Sequence, residues 1–187
     1  MKRKTVGLPV RLLLAALALS TSVLAQVPAP AHLSGFINDY TAATLKAAGP
    51  WEVRGEWSLA VKGDSNQANF SATLTMIRSD LWVIANNANA NDPSARSPHT
   101  HHITVVGGTV IPQGNGFEVD GLATITASGT QASFSPSHVQ IRITGGSDVA
   151  LSNISLTFLD AGAAGHFGDQ PLEGVVRAKA HPSSDSD

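Results

Sequence analysis

Hydrophobic and polar residues alternate almost strictly across residues 51–61, where the odd positions carry Trp51, Val53, Trp57, Leu59 and Val61. Residues 68–76 repeat the alternation, with the apolar residues at even positions. Because successive side chains of a strand point to opposite faces, a period of two predicts strands with one buried and one solvated face. The Gly-Asp-Ser-Asn sequence at 63–66 is typical of a turn between them.

Short segments of the same kind recur to the end of the chain, without helical periods between them. The remaining strands are predicted at 101–106, 117–126, 131–135, 138–144, 149–158 and 172–178. The phase of the alternation slips near Asn153, which predicts a β-bulge there. Turns are predicted at Gly107-Gly108 and at Gly114-Asn115-Gly116. Eight or nine strands at this spacing predict an all-β, mainly antiparallel fold: a small barrel, with a sandwich as the alternative.

The segments outside these strands predict four further features. Residues 26–33 are rich in proline and alanine and predict an extended leader. Residues 34–48 predict a short helix, because Phe36, Ile37 and Tyr40 have near-helical spacing, Ser34 can cap it and Gly49-Pro50 ends it. Residues 86–98 hold no large apolar side chain and predict a long loop, and the polar tail 179–187 is predicted to be disordered. One β-barrel domain over 34–178, including the helix, is therefore expected.

The first 25 residues predict a cleavable signal peptide. Four basic residues precede or flank a short apolar run at 12–19, and Val23-Leu24-Ala25 supplies small residues at the cleavage site. The run is shorter than the roughly 20 residues that span a bilayer, so no membrane span is expected in the mature chain. The sequence therefore predicts export to the periplasm or the medium.

Composition narrows the possible partners of the exported domain. Four of the 12 basic residues belong to the signal peptide, so eight remain against 14 acidic ones. A chain this acidic, without a basic stripe, is not expected to bind nucleic acid. Because the chain has no cysteine, its stability must come from the core and from backbone pairing. The sequence does not predict the oligomeric state.

The histidines at 99–102 form the densest chemical signal. On a strand His99 and His101 share one face, and imidazole is a common ligand for zinc, copper, iron and nickel. His166, which lies between glycines at 165 and 168 with Phe167, is the predicted third ligand. Glu118, Asp120 and His138 are alternative partners. The alternative interpretation is that the histidines are surface groups without a ligand.

Two short motifs resemble known families. The His-x-His pair resembles cupin metal sites, but a cupin needs a glutamate a few residues later and residues 103–108 contain no carboxylate. The chain is therefore not assigned to that family. Gly55-x-Trp57 resembles the opening motif of lipocalin-type barrels, in which the tryptophan packs across the closed end. This resemblance implies a barrel and does not identify a ligand.

Three functions are compatible with these patterns. The first is an exported barrel that binds an apolar or amphipathic small molecule in its mouth. The second is a metal binder or metal-dependent enzyme, in which His99, His101 and His166 hold a divalent transition metal that activates water. The third is a structural or adhesion protein. No Gly-x-Ser-x-Gly nucleophile motif is present, so binding is favoured over catalysis.

Overall fold

A computed structural model describes residues 31–41, 50–63, 65–86, 88–89, 91–92, 96–128, 133–145 and 152–177. The predicted signal peptide, most of the leader, part of the predicted helix and the predicted tail lie outside these residues.

The described chain forms a closed antiparallel barrel of eight strands, each paired with its neighbours in sequence. This confirms the all-β prediction and shows that the fold is a barrel and not a sandwich. The first and last strands pair at only three positions, which we call the barrel seam. The strands are β1 Ala31–Tyr40, β2 Trp51–Lys62, β3 Gln67–Arg78, β4 His99–Gln113, β5 Gly116–Ala127, β6 Phe134–Thr144, β7 Asn153–Phe158 and β8 Leu172–Val176.

The predicted helix is wrong where the structure describes it, because residues from Ser34 to Tyr40 belong to strand β1. The helical spacing depended on Phe36 and Tyr40, whose side chains are 41% and 51% exposed. Gly35 and Ile37 face the interior, as strand alternation requires. The strand pairs closely with β8 at Gly35, which leaves no space for a side chain there. Tertiary pairing has therefore overridden the local pattern.

Of the two turns that were predicted at glycines, the structure contains one and replaces the other by a β-bulge. Gly114 and Asn115 connect β4 to β5 as a hairpin, which confirms that turn. Gly107-Gly108 lies inside β4, so the turn predicted there is wrong. The register with β5 shifts at this point, and Gly107 has a φ of +69°. Here a glycine permits a β-bulge instead of a chain reversal.

Two other strand boundaries differ from the sequence prediction. The two strands predicted at 131–135 and 138–144 form one strand, β6, over their described part. The bulge expected near Asn153 is not seen within β7, because that strand begins at Asn153.

Two short helices complete the structure. Helix α1, Asp80–Ala85, follows β3, and the Trp82 N–H donates to its N-cap, Ser79 Oγ, at 3.4 Å. The described part of 86–98 contains no strand and no α-helix, in agreement with the predicted loop. Helix α2, Ala161–Phe167, connects β7 to β8 and contacts β6 and β7.

The barrel interior is filled by side chains. Buried apolar residues from all eight strands form one cluster. Trp57 belongs to this cluster and stacks on Phe70 with ring centroids 6.5 Å apart. The barrel wall therefore surrounds a packed core, and the histidines described below lie at one end of it.

Candidate metal centre

His99 and His101 lie at the start of β4 and point into the barrel. Strand alternation puts them on the same face as Ile103 and Val105, which are core residues. Their side chains are nearly or completely removed from solvent, with 5% exposure for His99 and none for His101. The next residue along the strand, His102, is exposed on the outer face, where its Nδ1 lies 3.2 Å from Thr73 Oγ1. The His-x-His spacing thus sends two imidazoles into the interior.

Helix α2 brings His166 over the same end of the barrel. Its buried residues are Ala163 and Phe167. The Phe167 ring stacks on Phe158 of β7, with centroids 4.1 Å apart and an interplanar angle of 12°. Because this stacked pair fixes the last turn of the helix, the adjacent His166 is held against the β4 histidines. Its side chain is only partly buried, so this is the side of the site nearest to solvent.

The three imidazoles converge through their Nε2 atoms. His166 Nε2 lies 2.9 Å from His101 Nε2 and 3.3 Å from His99 Nε2. One nitrogen from each residue lies within 4.8 Å of the others. Three nitrogens bound tetrahedrally at ~2.0–2.1 Å from one ion would be about 3.3 Å apart. The three residues could therefore hold a single metal ion.

Hydrogen bonding orients the imidazole of His99 toward the cluster. Its Nδ1 lies 2.9 Å from the Ser97 carbonyl oxygen, so Nδ1–H is the donor. The lone pair of the neutral ring is then on Nε2, which faces the other histidines. Backbone hydrogen bonds of this kind commonly set the tautomer of metal-binding histidines.

His101 and His166 are held in the neutral form that binds metals. Burial, followed by the neighbouring His166 and His99, lowers the pKa of His101 to about 3. Burial and the proximity of His99 lower the pKa of His166 to about 4. At neutral pH both side chains are therefore unprotonated, so a metal ion would not have to displace a proton from either.

Aromatic rings surround the cluster. Trp51 contacts His99 edge-on at 5.0 Å between centroids, and Phe134 lies 5.4 Å from His166. Phe167 and His101 form a T-shaped pair with ring centroids 4.8 Å apart. These neighbours were not identified from the sequence, because strand register and the position of α2 bring them together. Their hydrophobic character is that of ordinary core residues and does not indicate a site.

The alternative partners proposed from the sequence lie elsewhere. Glu118 accepts hydrogen bonds from Arg142 at 3.0 Å and from Gln140 at 2.8 Å. Asp120 pairs with His138 on the neighbouring strand. Neither pair joins the three-histidine cluster, which consists of imidazoles alone among the described residues. The third ligand favoured by the sequence, His166, is the one that the structure places with His99 and His101.

A separate groove of about 700 Å³ crosses the outer wall of strands β1 to β4. Its polar lining includes the exposed residues Ser34, Ser58, Ser71 and Thr104, which are partners across neighbouring strands. Arg177 lies at its edge. The groove is on the opposite face of the wall from the packed interior.

Comparison with known proteins finds no match among family models, curated proteins or solved structures. No helix among the described residues is long and apolar enough to cross a membrane.

Proposed function

We propose that this protein binds one transition-metal ion through His99, His101 and His166. The observation that carries the proposal is the convergence of the three Nε2 atoms, with separations of 2.9 and 3.3 Å from the central His166. Burial removes water from these imidazoles, and no carboxylate among the described residues is present in the cluster to compensate with a hydrogen bond. A cation among them would engage the Nε2 lone pairs of all three rings at once, which a single N–H shared between two rings cannot do.

The ligand set limits what the ion can do. Three protein ligands on a four-coordinate ion leave one position for another group. Solvent or a small molecule can approach this position past His166, the least buried of the three. Water bound there would become more acidic, and the oxygen of a bound substrate would be polarised. Metal binding is the central proposal, and activity of this kind would depend on it.

Metal titration of the purified protein tests the proposal. Zn²⁺ and Co²⁺ should each bind in one equivalent, with Co²⁺ giving the visible spectrum of a four-coordinate site. His166→Ala should weaken binding strongly while leaving the barrel folded, because His166 lies on a short helix outside the barrel wall. His101→Ala should have the same effect on binding.

His102→Ala is the matched control, since His102 is on the same strand but faces outward. It should bind metal as the unmodified protein does. Equal loss in H102A and H166A would show that the binding is not at this cluster. Failure of Zn²⁺, Co²⁺ and copper to bind at all would overturn the proposal.

Binding of an amphipathic small molecule is the second candidate function. Because the interior of the barrel is packed, a small molecule would bind in the outer groove. Hydroxyls from Ser58 and Ser71, 2.8 Å apart, line it together with Arg177, which could pair with an anionic group. Native mass spectrometry of the gently purified protein should then show a retained small molecule. Arg177→Ala should release it, whereas H102A should not.

A further inference from the structure

The proposed metal site contains no anionic ligand among the described residues. Its three members are imidazoles, and the electrostatic influences that lower the pKa values of His101 and His166 come from other histidines. A divalent ion bound by neutral groups alone would keep its full double charge in a pocket lined by Trp51 and Phe134. Burial of uncompensated charge in an apolar environment is strongly unfavourable. The site thus favours an ion of lower charge.

A buried methionine lies opposite one of the histidines on the neighbouring strand. Met76 of β3 is the direct antiparallel partner of His99, and both side chains are buried on the inner face of the barrel. Partners of this kind have Cβ atoms about 4.5–5.5 Å apart. Three rotatable bonds allow the methionine thioether to cover that distance. The chain has no cysteine, and its only other methionine is Met1.

Building on the proposed function, we propose that the resident ion is Cu(I), bound by His99, His101 and His166 together with the Met76 thioether. Cu(I) carries a single positive charge, and thioether ligands select it over harder divalent ions. All four donors are neutral, so the complex retains that single charge. With Cu(I) the Met76 thioether fills the fourth position, which a divalent ion held by the three histidines alone would leave open, and the site stores or carries copper without an exchangeable water.

Competition with bicinchoninate under anaerobic conditions measures the affinity for Cu(I). The protein should withdraw one equivalent of Cu(I) from the coloured chelate complex. Met76→Leu preserves the volume of the side chain and removes the sulfur, so the barrel should stay folded. Its affinity for Cu(I) should fall about tenfold or more, since even second-shell changes are worth roughly 10–100-fold. Its affinity for Zn²⁺ should stay within about threefold of the original, because zinc would use only the three histidines.

Selenomethionine labelling gives a direct structural readout. X-ray absorption at the copper edge should show a copper–selenium contact in the labelled protein. The labelled M76L variant has no methionine other than Met1, which belongs to the predicted signal peptide, so it should not show that contact, although it should retain the imidazole scattering.

The outcomes separate this proposal from the one on which it rests. Zinc binding in one equivalent with no selenium contact to copper, and with equal Cu(I) affinity in M76L and the unmodified protein, would overturn the role of Met76 and leave the three-histidine site intact. Failure to bind any of the metals would overturn both proposals.

Discussion

Removal of the Phe167 ring is expected to destabilise the metal-free protein strongly. Phe167 is fully buried, stacks on Phe158 and packs against the ring of His101. Together with Ala163 it forms the buried face of helix α2. In Phe167→Ala the stacked ring on β7 loses its partner and the helix loses its principal contact with the barrel.

The size of the effect follows from burial and from the rigidity of the surroundings. Phe→Ala substitutions in cores cost about 3–5 kcal/mol, including the cavity that remains. The stacking geometry contributes roughly 0.5–1.5 kcal/mol of this in comparable aromatic pairs. Because Phe158 belongs to a hydrogen-bonded strand, the site cannot collapse easily around the cavity. We therefore expect a loss of about 3–5 kcal/mol in the free energy of unfolding.

Urea unfolding, followed by tryptophan fluorescence and far-ultraviolet circular dichroism, measures this loss. Phe36→Ala is the control, because Phe36 is 41% exposed and its ring lies 5.8 Å from the Arg177 guanidinium. An exposed contact of this kind is worth about 0.5–1 kcal/mol. If F167A lost no more stability than F36A, the packing of α2 against the barrel would be refuted, and with it the position of His166.

Two more predictions concern acid stability and the barrel seam. Stability of the metal-free protein should fall as the pH drops below about 6.5, because unfolded histidines bind protons there while His101 and His166, with pKa values of about 3 and 4, do not. Urea unfolding at pH 7 and pH 4.5 should differ by roughly 1–3 kcal/mol for each histidine, and the double variant H101Q/H166Q should reduce the difference. Gly35→Ala should destabilise the barrel by about 2 kcal/mol or more, because its Cβ would lie 1.9 Å from the Val175 carbonyl oxygen. Thermal unfolding measures this loss, and Gly165→Ala is the control. The Cβ added at Gly165 meets no atom within 4 Å, so the stability of that variant should be equal to or higher than that of the unmodified protein.

A pH-independent difference between the unmodified protein and H101Q/H166Q would contradict the assignment of low pKa values to these histidines. A folded, fully stable G35A variant would contradict the close approach of β1 to β8.

The strands were predictable from the sequence wherever one face is buried. The alternation around Trp57 and Leu74 follows directly from the packed interior, and His99 and His101 share a face for the same reason. The helix predicted around Phe36 and Tyr40 is wrong for the opposite reason. Both are large side chains on the outer face, so hydrophobicity alone assigned them to a buried helical stripe.

The candidate site was only partly predictable. His166 could be named because it lies in a glycine-flanked segment, but its contact with His101 depends on where a seven-residue helix docks. Met76 could not be identified, because its alternation is that of any core residue. Its position opposite His99 is set by the register between β3 and β4, which the separate segments do not encode. Non-local pairing therefore supplies the information that sequence patterns lack.

The barrel seam has a consequence for biosynthesis. β1 is among the first parts of the domain to leave the ribosome and β8 is among the last, yet each needs the other as a neighbour. Such distant pairing is slow to form, and until it forms both strands present unpaired backbone groups that can recruit other chains. A nascent or prematurely terminated polypeptide lacking residues 172–176 would keep two open sheet edges. Such a product should aggregate, however complete its remaining core.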